Sequence, residues 1–323
     1  MKKAFSLILT AILASCMLTG CGSSESSSSL FKSGNTTNST ASTGIPEGPS
    51  PAALSTVKKP QMNVNELIAG QKVENTGSCG ENATFTLYEN GVAVIEGTGT
   101  ISRTTLNDAK TVIVGEGITE ITRRFFFAFK TLEEVQLPST LQKIGDQAFK
   151  ECYSLRSIWV PDGVNEIGEY AFNVCHSLTE VRLPDTVTTM GEHVFRGCDK
   201  IETANLPSML TTVPEGTFYD SKKLKSINIP SGVTEIGNDA FYGCESLTEI
   251  VIPAGVTTID KNAFSYNYGI TSVTIPASVE TLGKGVFSGW KDTQTIIVEG
   301  KTERPSTWDP EWAGEYAKVV WKG

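Results

Sequence analysis

The stretch IPSGVTEIGNDAFYGCESLTEIVIP, residues 229–253, contains one complete unit of a repeat that runs from one proline to the next in 23 residues. Counting one unit back from Pro138 and one unit forward from Pro276 reaches Gly115 and Glu299. Eight units therefore fill residues 115–299 without an insertion. A fixed period of this length predicts a solenoid of stacked units. The prolines with this spacing are Pro138, Pro161, Pro184, Pro207, Pro230, Pro253 and Pro276.

Apolar residues occupy the same places in each unit. The positions one and three residues before the proline are apolar, as at Ile229 and Ile227, and the residue between them is mostly polar, as at Asn228. This alternation predicts a short strand with one buried face, which the proline ends because it has no N–H for a ladder. One column is always phenylalanine: Phe126, Phe149, Phe172, Phe195, Phe218, Phe241, Phe264 and Phe287.

The repeated unit resembles the BspA-type leucine-rich repeat over residues 115–298. The flanks CGENATFTLYENGVAVIEGTGTI (79–101) and PSTWDPEWAGEYAKVVWKG (305–323) are similar to that family too. The resemblance implies surface display and binding, since the family occurs on surface proteins of gut and oral bacteria and of some protists. The chain lacks the asparagine that ordinary leucine-rich repeats stack after the strand, so ligand residues of other leucine-rich-repeat receptors are not carried over.

One unit cannot bury its own apolar face, whereas stacked units share a continuous core. We therefore predict an α/β leucine-rich-repeat solenoid, with one parallel β-sheet face and short helical or 3₁₀ turns on the other. A β-hairpin from Phe85 to Ile95, with an Asn90-Gly91 turn, should cap the N-terminal end, and a tryptophan-rich segment should cap the other. The predicted divisions are residues 1–20 (signal peptide), 21–62 (lipidated cysteine and disordered tether), 63–114 (N-terminal cap with hairpin and first strand), 115–298 (eight repeats) and 299–323 (C-terminal cap).

The N-terminus has the features of an export signal. A basic start, Met1-Lys2-Lys3, precedes an apolar stretch shorter than a membrane-spanning helix. The next residues, Leu18-Thr19-Gly20-Cys21, resemble the lipobox of bacterial lipoproteins, which implies cleavage before Cys21 and lipid attachment to it. The alternative is an ordinary secretory signal that ends near a cysteine. We predict an exported lipoprotein, held to the membrane through its lipid alone and exposed at the cell surface.

The segment after Cys21 and the net charge limit the possible partners. Residues 22–60 contain eleven serines and five threonines, a composition that cannot bury enough apolar surface to fold. The chain has a formal charge of −9, and loss of Lys2 and Lys3 with the signal peptide takes it to −11. This charge argues against a nucleic-acid partner.

Cysteines recur at one place in the repeat, fourteen residues after the proline, and could be metal ligands, redox groups or packing. A column spaced by one repeat gives side chains in a line, whereas a metal needs ligands that converge. His176 and His193 share no column with each other or with the cysteines. We predict a structural column, no metal and no cofactor. The column contains Phe129, Cys152, Cys175, Cys198, Ser221, Cys244, Asn267 and Trp290.

No motif indicates an enzyme. The recurring glycines are turn residues rather than a phosphate-binding loop, and only two histidines are present for a serine-histidine-acid set. Glu134, Glu180 and Glu249 lie on the strand face, but acidic residues are common on any solvated sheet. We predict that the protein is not an enzyme.

The strand face is the predicted binding surface. Trp159 is its one aromatic residue, and Arg182 lies one strand along, close enough for a cation–π pair. The resemblance implies adhesion to an extracellular protein or glycan. The alternative for Trp159 is an exposed residue without a partner. The predicted partner-binding residues are Gln136, Trp159, Glu180, Arg182, Asn205 and Asn228.

The C-terminal cap raises a second possibility. Trp290, Trp308, Trp312 and Trp321 crowd the last 34 residues. Such a cluster either seals the last repeat or stacks on sugars. The alternative function is therefore an extracellular polysaccharide-binding lipoprotein that uses this end of the molecule.

Overall fold

The computed structural model describes residues 61–323. The predicted signal peptide, the lipidation site Cys21 and the tether as far as residue 60 lie outside the described residues. Within residues 61–323 no helix has the length and hydropathy needed to cross a bilayer. The single α-helix of this range is Val64–Ile68.

The N-terminal end of the repeats is covered by an antiparallel sheet. Its strands are Val73–Ser78, Gly80–Tyr88 and Val92–Ile101, and each pairs with the next. The last two form the hairpin, whose turn contains Asn90 and Gly91. Gly91 has a φ of +80°, a conformation that glycine adopts without steric cost. The third strand also pairs in parallel with Thr111–Val114, the strand that comes directly before the first repeat. The sheet therefore continues into the solenoid.

One side of the solenoid carries the strands that the alternating pattern predicts, here called the front strands. Within three groups they pair in parallel, each residue opposite its equivalent in the next repeat, as Ile158 lies opposite Val181. The solenoid of stacked parallel strands is therefore confirmed. Residues 249–251, where the alternating pattern predicts another strand, form none. The front strands are Thr111–Val114, Glu134–Gln136, Ser157–Trp159, Glu180–Arg182, Thr203–Asn205, Ser226–Asn228, Ser272–Ile275, Thr295–Glu299 and Lys318–Lys322.

A second ladder of parallel strands follows the prolines, where the sequence analysis placed no strand. Each of these strands after the first has two residues, of which the second is buried and the first faces outward. Two residues per repeat are too few to show alternation, so the sequence carried no strand signal here. The second strands are Ile118–Ile121, Lys143–Ile144, Glu166–Ile167, Thr189–Met190, Thr212–Val213, Glu235–Ile236, Thr258–Ile259 and Thr281–Leu282.

The third side consists of turns rather than regular helix. In one repeat the Cys152 N–H donates to the Phe149 carbonyl three residues back, whereas the Phe149 N–H donates to Ala171 of the next repeat at 2.8 Å. Gln147 and Glu151 have left-handed φ values of 56° and 64°. Such residues cannot continue a right-handed helix. The predicted helical turns are therefore single turns, bonded alternately within and between repeats.

The core is a continuous stack of phenylalanine rings, here called the phenylalanine stack, from Phe126 to Phe287. All eight rings are fully buried. Neighbouring ring centroids lie 4.8–5.9 Å apart, and the ring planes differ by at most 20°. Each of the six inner rings thus contacts one ring in the repeat before and one in the repeat after.

Candidate functional site

Trp159 and Arg182 form a pair on the third and fourth front strands. These residues lie directly opposite each other on adjacent parallel strands, and the Arg182 Cζ atom is 5.4 Å from the centroid of the Trp159 indole. The structure therefore contains the predicted cation–π pair. Arg182 makes no ion pair with any described residue, whereas Arg156 at the edge of the face is bound to Glu133 at 2.7 Å. The charge of Arg182 is therefore not neutralised by an ion pair within residues 61–323.

The other predicted contact residues divide into two groups. Glu180 and Asn228 are exposed. The Asn205 amide instead donates to the Leu183 carbonyl at 2.8 Å and accepts from the Leu183 N–H at 3.2 Å. The amide group of Asn205 thus bridges two strands of the fold.

Gln136 is used within the chain as well. Its Oε1 atom accepts a hydrogen bond of 3.0 Å from the N–H of Met62. The N-terminal end of the described chain therefore lies against the edge of the front face. Trp159, Arg182, Glu180 and Asn228 are the predicted contact residues whose side-chain polar groups are not bound in this way.

The cysteine column is buried packing in this structure. Cys152, Cys175, Cys198 and Cys244 are fully buried, and none of the five cysteines in residues 61–323 forms a disulfide. Each thiol of the column donates to a phenylalanine carbonyl, as from Cys175 to Phe149 at 3.2 Å. Burial raises the pKa of Cys152 to about 12 and raises that of Cys175 well above its ordinary value. The thiols of Cys152 and Cys175 are therefore protonated at neutral pH, unlike reactive or metal-binding thiolates.

One member of the column is poorly matched to its place. Asn267 is fully buried, and neither its amide nitrogen nor its amide oxygen has a hydrogen-bond partner among the described residues. The serine in the same column, Ser221, donates to the Phe195 carbonyl at 3.2 Å. A buried polar group without a partner costs about 1–3 kcal/mol.

We therefore expect Asn267→Cys to raise the free energy of unfolding by about 1–3 kcal/mol, since a thiol suits this place and removes the unsatisfied amide. Chemical denaturation followed by circular dichroism measures the change. Ser221→Cys is the matched control and should change stability less, because the Ser221 hydroxyl already has its partner. Equal changes in both variants would contradict the explanation.

Three of the four tryptophans at the C-terminal end are buried, and Trp321 is half-buried against them. Trp308 and Trp312 are 1% and 3% exposed, with ring centroids 5.1 Å apart in an edge-to-face contact. Trp290 is buried too, and its Nε1–H donates to the Phe264 carbonyl at 2.9 Å. These three indoles offer no ring face to a sugar, so the geometry favours sealing of the last repeat.

Four tyrosines form a second surface, here called the tyrosine ribbon, that was not predicted from the sequence: Tyr219, Tyr242, Tyr266 and Tyr268. Tyr266 and Tyr268 are exposed, and the other two are half-buried. The first two rings stack at 4.6 Å, and the later contacts are edge-to-face at 5.1 and 6.2 Å. Arg196 lies over the first ring at 4.4 Å. Burial and neighbouring charges raise the pKa of Tyr242 to about 12. The signal was present, because Tyr219 and Tyr242 are 23 residues apart.

The BspA type leucine rich repeat region matches this chain in six copies, over residues 104–225 and 211–305. That is more than half of the chain, which therefore belongs to the BspA-type leucine-rich-repeat family. Six copies are matched, compared with eight units counted from the proline spacing. Membership indicates a repeat scaffold that binds proteins, a class typically without enzymatic activity.

Solved structures show the same fold. A leucine-rich-repeat protein of T. pallidum is 27% identical with a TM-score of 0.50, and the match covers 58% of this chain and 86% of that one. A leucine-rich-repeat protein of Bacteroides ovatus is 19% identical with a TM-score of 0.51, covering 74% and 76%. No curated protein sequence matches the chain significantly.

Proposed function

We propose that this protein is a lipid-anchored surface protein that binds an extracellular protein on its front face, around Trp159 and Arg182. The observation that carries the proposal is the cation–π pair on adjacent strands, with an arginine that has no ion-pair partner among the described residues. Tryptophan and arginine are the residue types most enriched in interaction hot spots.

The shape of the front face supports a macromolecular partner. Strands about 4.8 Å apart present their outward side chains in a regular array without a deep cavity. Glu180 and Asn228 flank the pair and add an acceptor and an amide. A broad, shallow contact with a central desolvated anchor is typical of protein–protein interfaces.

The anchoring part of the proposal rests on the sequence alone. The lipobox-like Leu18-Thr19-Gly20-Cys21 and the serine-rich segment after it support display on a flexible tether. Several acyl chains would hold the protein stably to a membrane. Mass spectrometry of the mature N-terminus tests this: a diacylated or triacylated Cys21 is expected, and an unmodified N-terminus elsewhere would contradict it.

The alternative function is polysaccharide binding, and the exposure of two tyrosines supports a site for it other than the tryptophan-rich end. The buried tryptophans cannot stack on sugars, whereas Tyr266 and Tyr268 are exposed. A glycan-binding form of the proposal would therefore use the tyrosine ribbon. A glycan array beside a pull-down with host extracellular-matrix proteins distinguishes the two partner classes.

For a partner found in this way, we expect Trp159→Ala with Arg182→Ala to weaken binding by about 2 kcal/mol or more, which is roughly 30-fold in Kd. Loss of the indole and the guanidinium removes both the anchor and its charge. Surface plasmon resonance measures the affinity, and circular dichroism checks the fold.

Two controls belong to this experiment. Thr274→Ala changes the same column of the front face, four repeats after Arg182 and five after Trp159, and should leave the affinity unchanged. Tyr266→Ala with Tyr268→Ala removes the exposed part of the tyrosine ribbon. Loss of binding in the tyrosine variant, together with full binding in the Trp159 and Arg182 variant, would move the site to the ribbon and support the polysaccharide function.

A further inference from the structure

Two neighbouring repeats bring a histidine and two glutamates together. Glu192 and His193 lie eight and nine residues after Pro184, and Glu215 lies eight residues after Pro207. One ligand atom from each lies within 4.8 Å of the other two. The His193 Nε2 atom is 3.5 Å from the Glu215 Oε1 atom. His193 lies one place further in its repeat than the two glutamates do in theirs, so no single column of the repeat contains all three residues.

The imidazole of His193 is buried and held in one orientation. The residue is 7% exposed, and its ring stacks on Tyr170 with centroids 4.8 Å apart. On the other side it lies against Gly216, where a Cβ atom would collide with the ring. Its Nδ1 atom has no hydrogen-bond partner among the described residues. This packing directs the Nε2 atom toward the two carboxylates.

Glu215 is positioned by a neighbour on the next repeat. Its Oε2 atom accepts a hydrogen bond of 3.2 Å from the Asn238 Nδ2 atom, which leaves Oε1 on the side of His193. The third carboxylate, that of Glu192, is exposed and can turn toward the other two. Bonds of this kind to a ligand's second oxygen orient carboxylates in metal sites.

The surface beside the three residues is acidic. Glu192 and Glu215 lie on the wall of a groove of about 420 Å³, which also has Glu169, Glu235 and Asp260 on its wall and no lysine or arginine among its lining residues. Burial, and then the charge of Glu235, raise the pKa of Asp260. A groove lined by one sign of charge concentrates ions of the opposite sign.

We propose that Glu192, His193 and Glu215 form a binding site for a divalent transition-metal ion, with Zn²⁺ as the ion that suits them best. An imidazole nitrogen and carboxylate oxygens are zinc ligands, at about 2.0–2.2 Å from the ion, whereas calcium takes oxygen ligands only. Water from the groove completes the coordination. The ion would join two consecutive repeats on the side away from the front face.

The test is isothermal titration of the purified, untagged protein with zinc chloride. We expect one equivalent of Zn²⁺ to bind, with an affinity at least tenfold weaker in His193→Gln and in Glu215→Gln. Glutamine is compatible with the left-handed backbone of His193, because Gln147 occupies the same column at the same φ of 56°. Cobalt substitution adds a readout, since visible absorption of Co²⁺ bound to the wild type should be lost in His193→Gln.

His176→Gln is the matched control. His176 also stacks on a tyrosine of the preceding repeat and pairs with one acid of the next, Asp199, at 2.9 Å, but it is exposed and has no second carboxylate in a metal-binding group. This variant should bind Zn²⁺ as the wild type does. The proposal is overturned by absence of binding, by unchanged affinity in folded His193→Gln, or by equal loss in His176→Gln. Binding of Ca²⁺ but not Zn²⁺, unchanged in His193→Gln, would likewise overturn it and leave the acidic groove alone as the site.

Discussion

Phe195→Ala should lower the free energy of unfolding by about 3–5 kcal/mol. Phe195 is fully buried, and its ring stacks on Phe172 and on Phe218 with centroids 5.5 Å away on each side. The substitution removes the burial of one ring and leaves a cavity in the middle of the phenylalanine stack. Each repeat of a solenoid contacts only its neighbours. The cavity therefore also weakens the coupling between the repeats before Phe195 and the repeats after it.

Chemical denaturation followed by circular dichroism measures this loss, and hydrogen exchange locates it. We expect amide protection to fall first in the repeats on either side of Phe195. Val251→Ala is the control, since Val251 is 71% exposed and surface substitutions usually change stability by less than about 0.5 kcal/mol. A Phe195→Ala protein as stable as the Val251→Ala protein would show that the stack does not carry the stability of the solenoid.

The second large effect is expected at the C-terminal end, where Trp312→Ala should also cost about 3–5 kcal/mol. Trp312 is 3% exposed, and its ring meets Phe287, the last ring of the stack, edge-to-face at 6.0 Å. It also contacts Trp308 and Trp321. Its removal would admit water to the apolar end face of the last repeat, which a solenoid must cover.

The control for this prediction lies in the same segment. Tyr316 is 65% exposed, so Tyr316→Ala should leave stability almost unchanged. Hydrogen exchange should show fraying of the last repeats in Trp312→Ala alone. If Trp312→Ala kept full stability and lost binding to a glycan, the tryptophan-rich end would be a sugar site and our assignment of it as a cap would be wrong.

The chemical roles of the repeated columns were only partly predictable. Phenylalanine in one column and small residues in another predict packing, because apolar side chains at one period stack against copies of themselves. The same logic did not separate Asn205 from Asn228, which share a column. Asn205 bridges two strands through the Leu183 backbone, whereas Asn228 is exposed. The strand pairing also differs at the two places: only Glu180 and Thr203 pair between the strands of Arg182 and Asn205, whereas Asn205 itself pairs with Asn228.

The sequence by itself determined the repeat, the direction of stacking and the identity of the core, because a constant 23-residue period places each residue beside its equivalent in the next unit. Only the tertiary structure decided which different columns meet. It placed His193 beside Glu215, Gln136 against Met62, and the tyrosines in one ribbon. These contacts depend on backbone conformation, including left-handed residues such as His193 at a φ of 56°. A period along the chain specifies neighbours within a column, whereas the path of each turn specifies neighbours between columns.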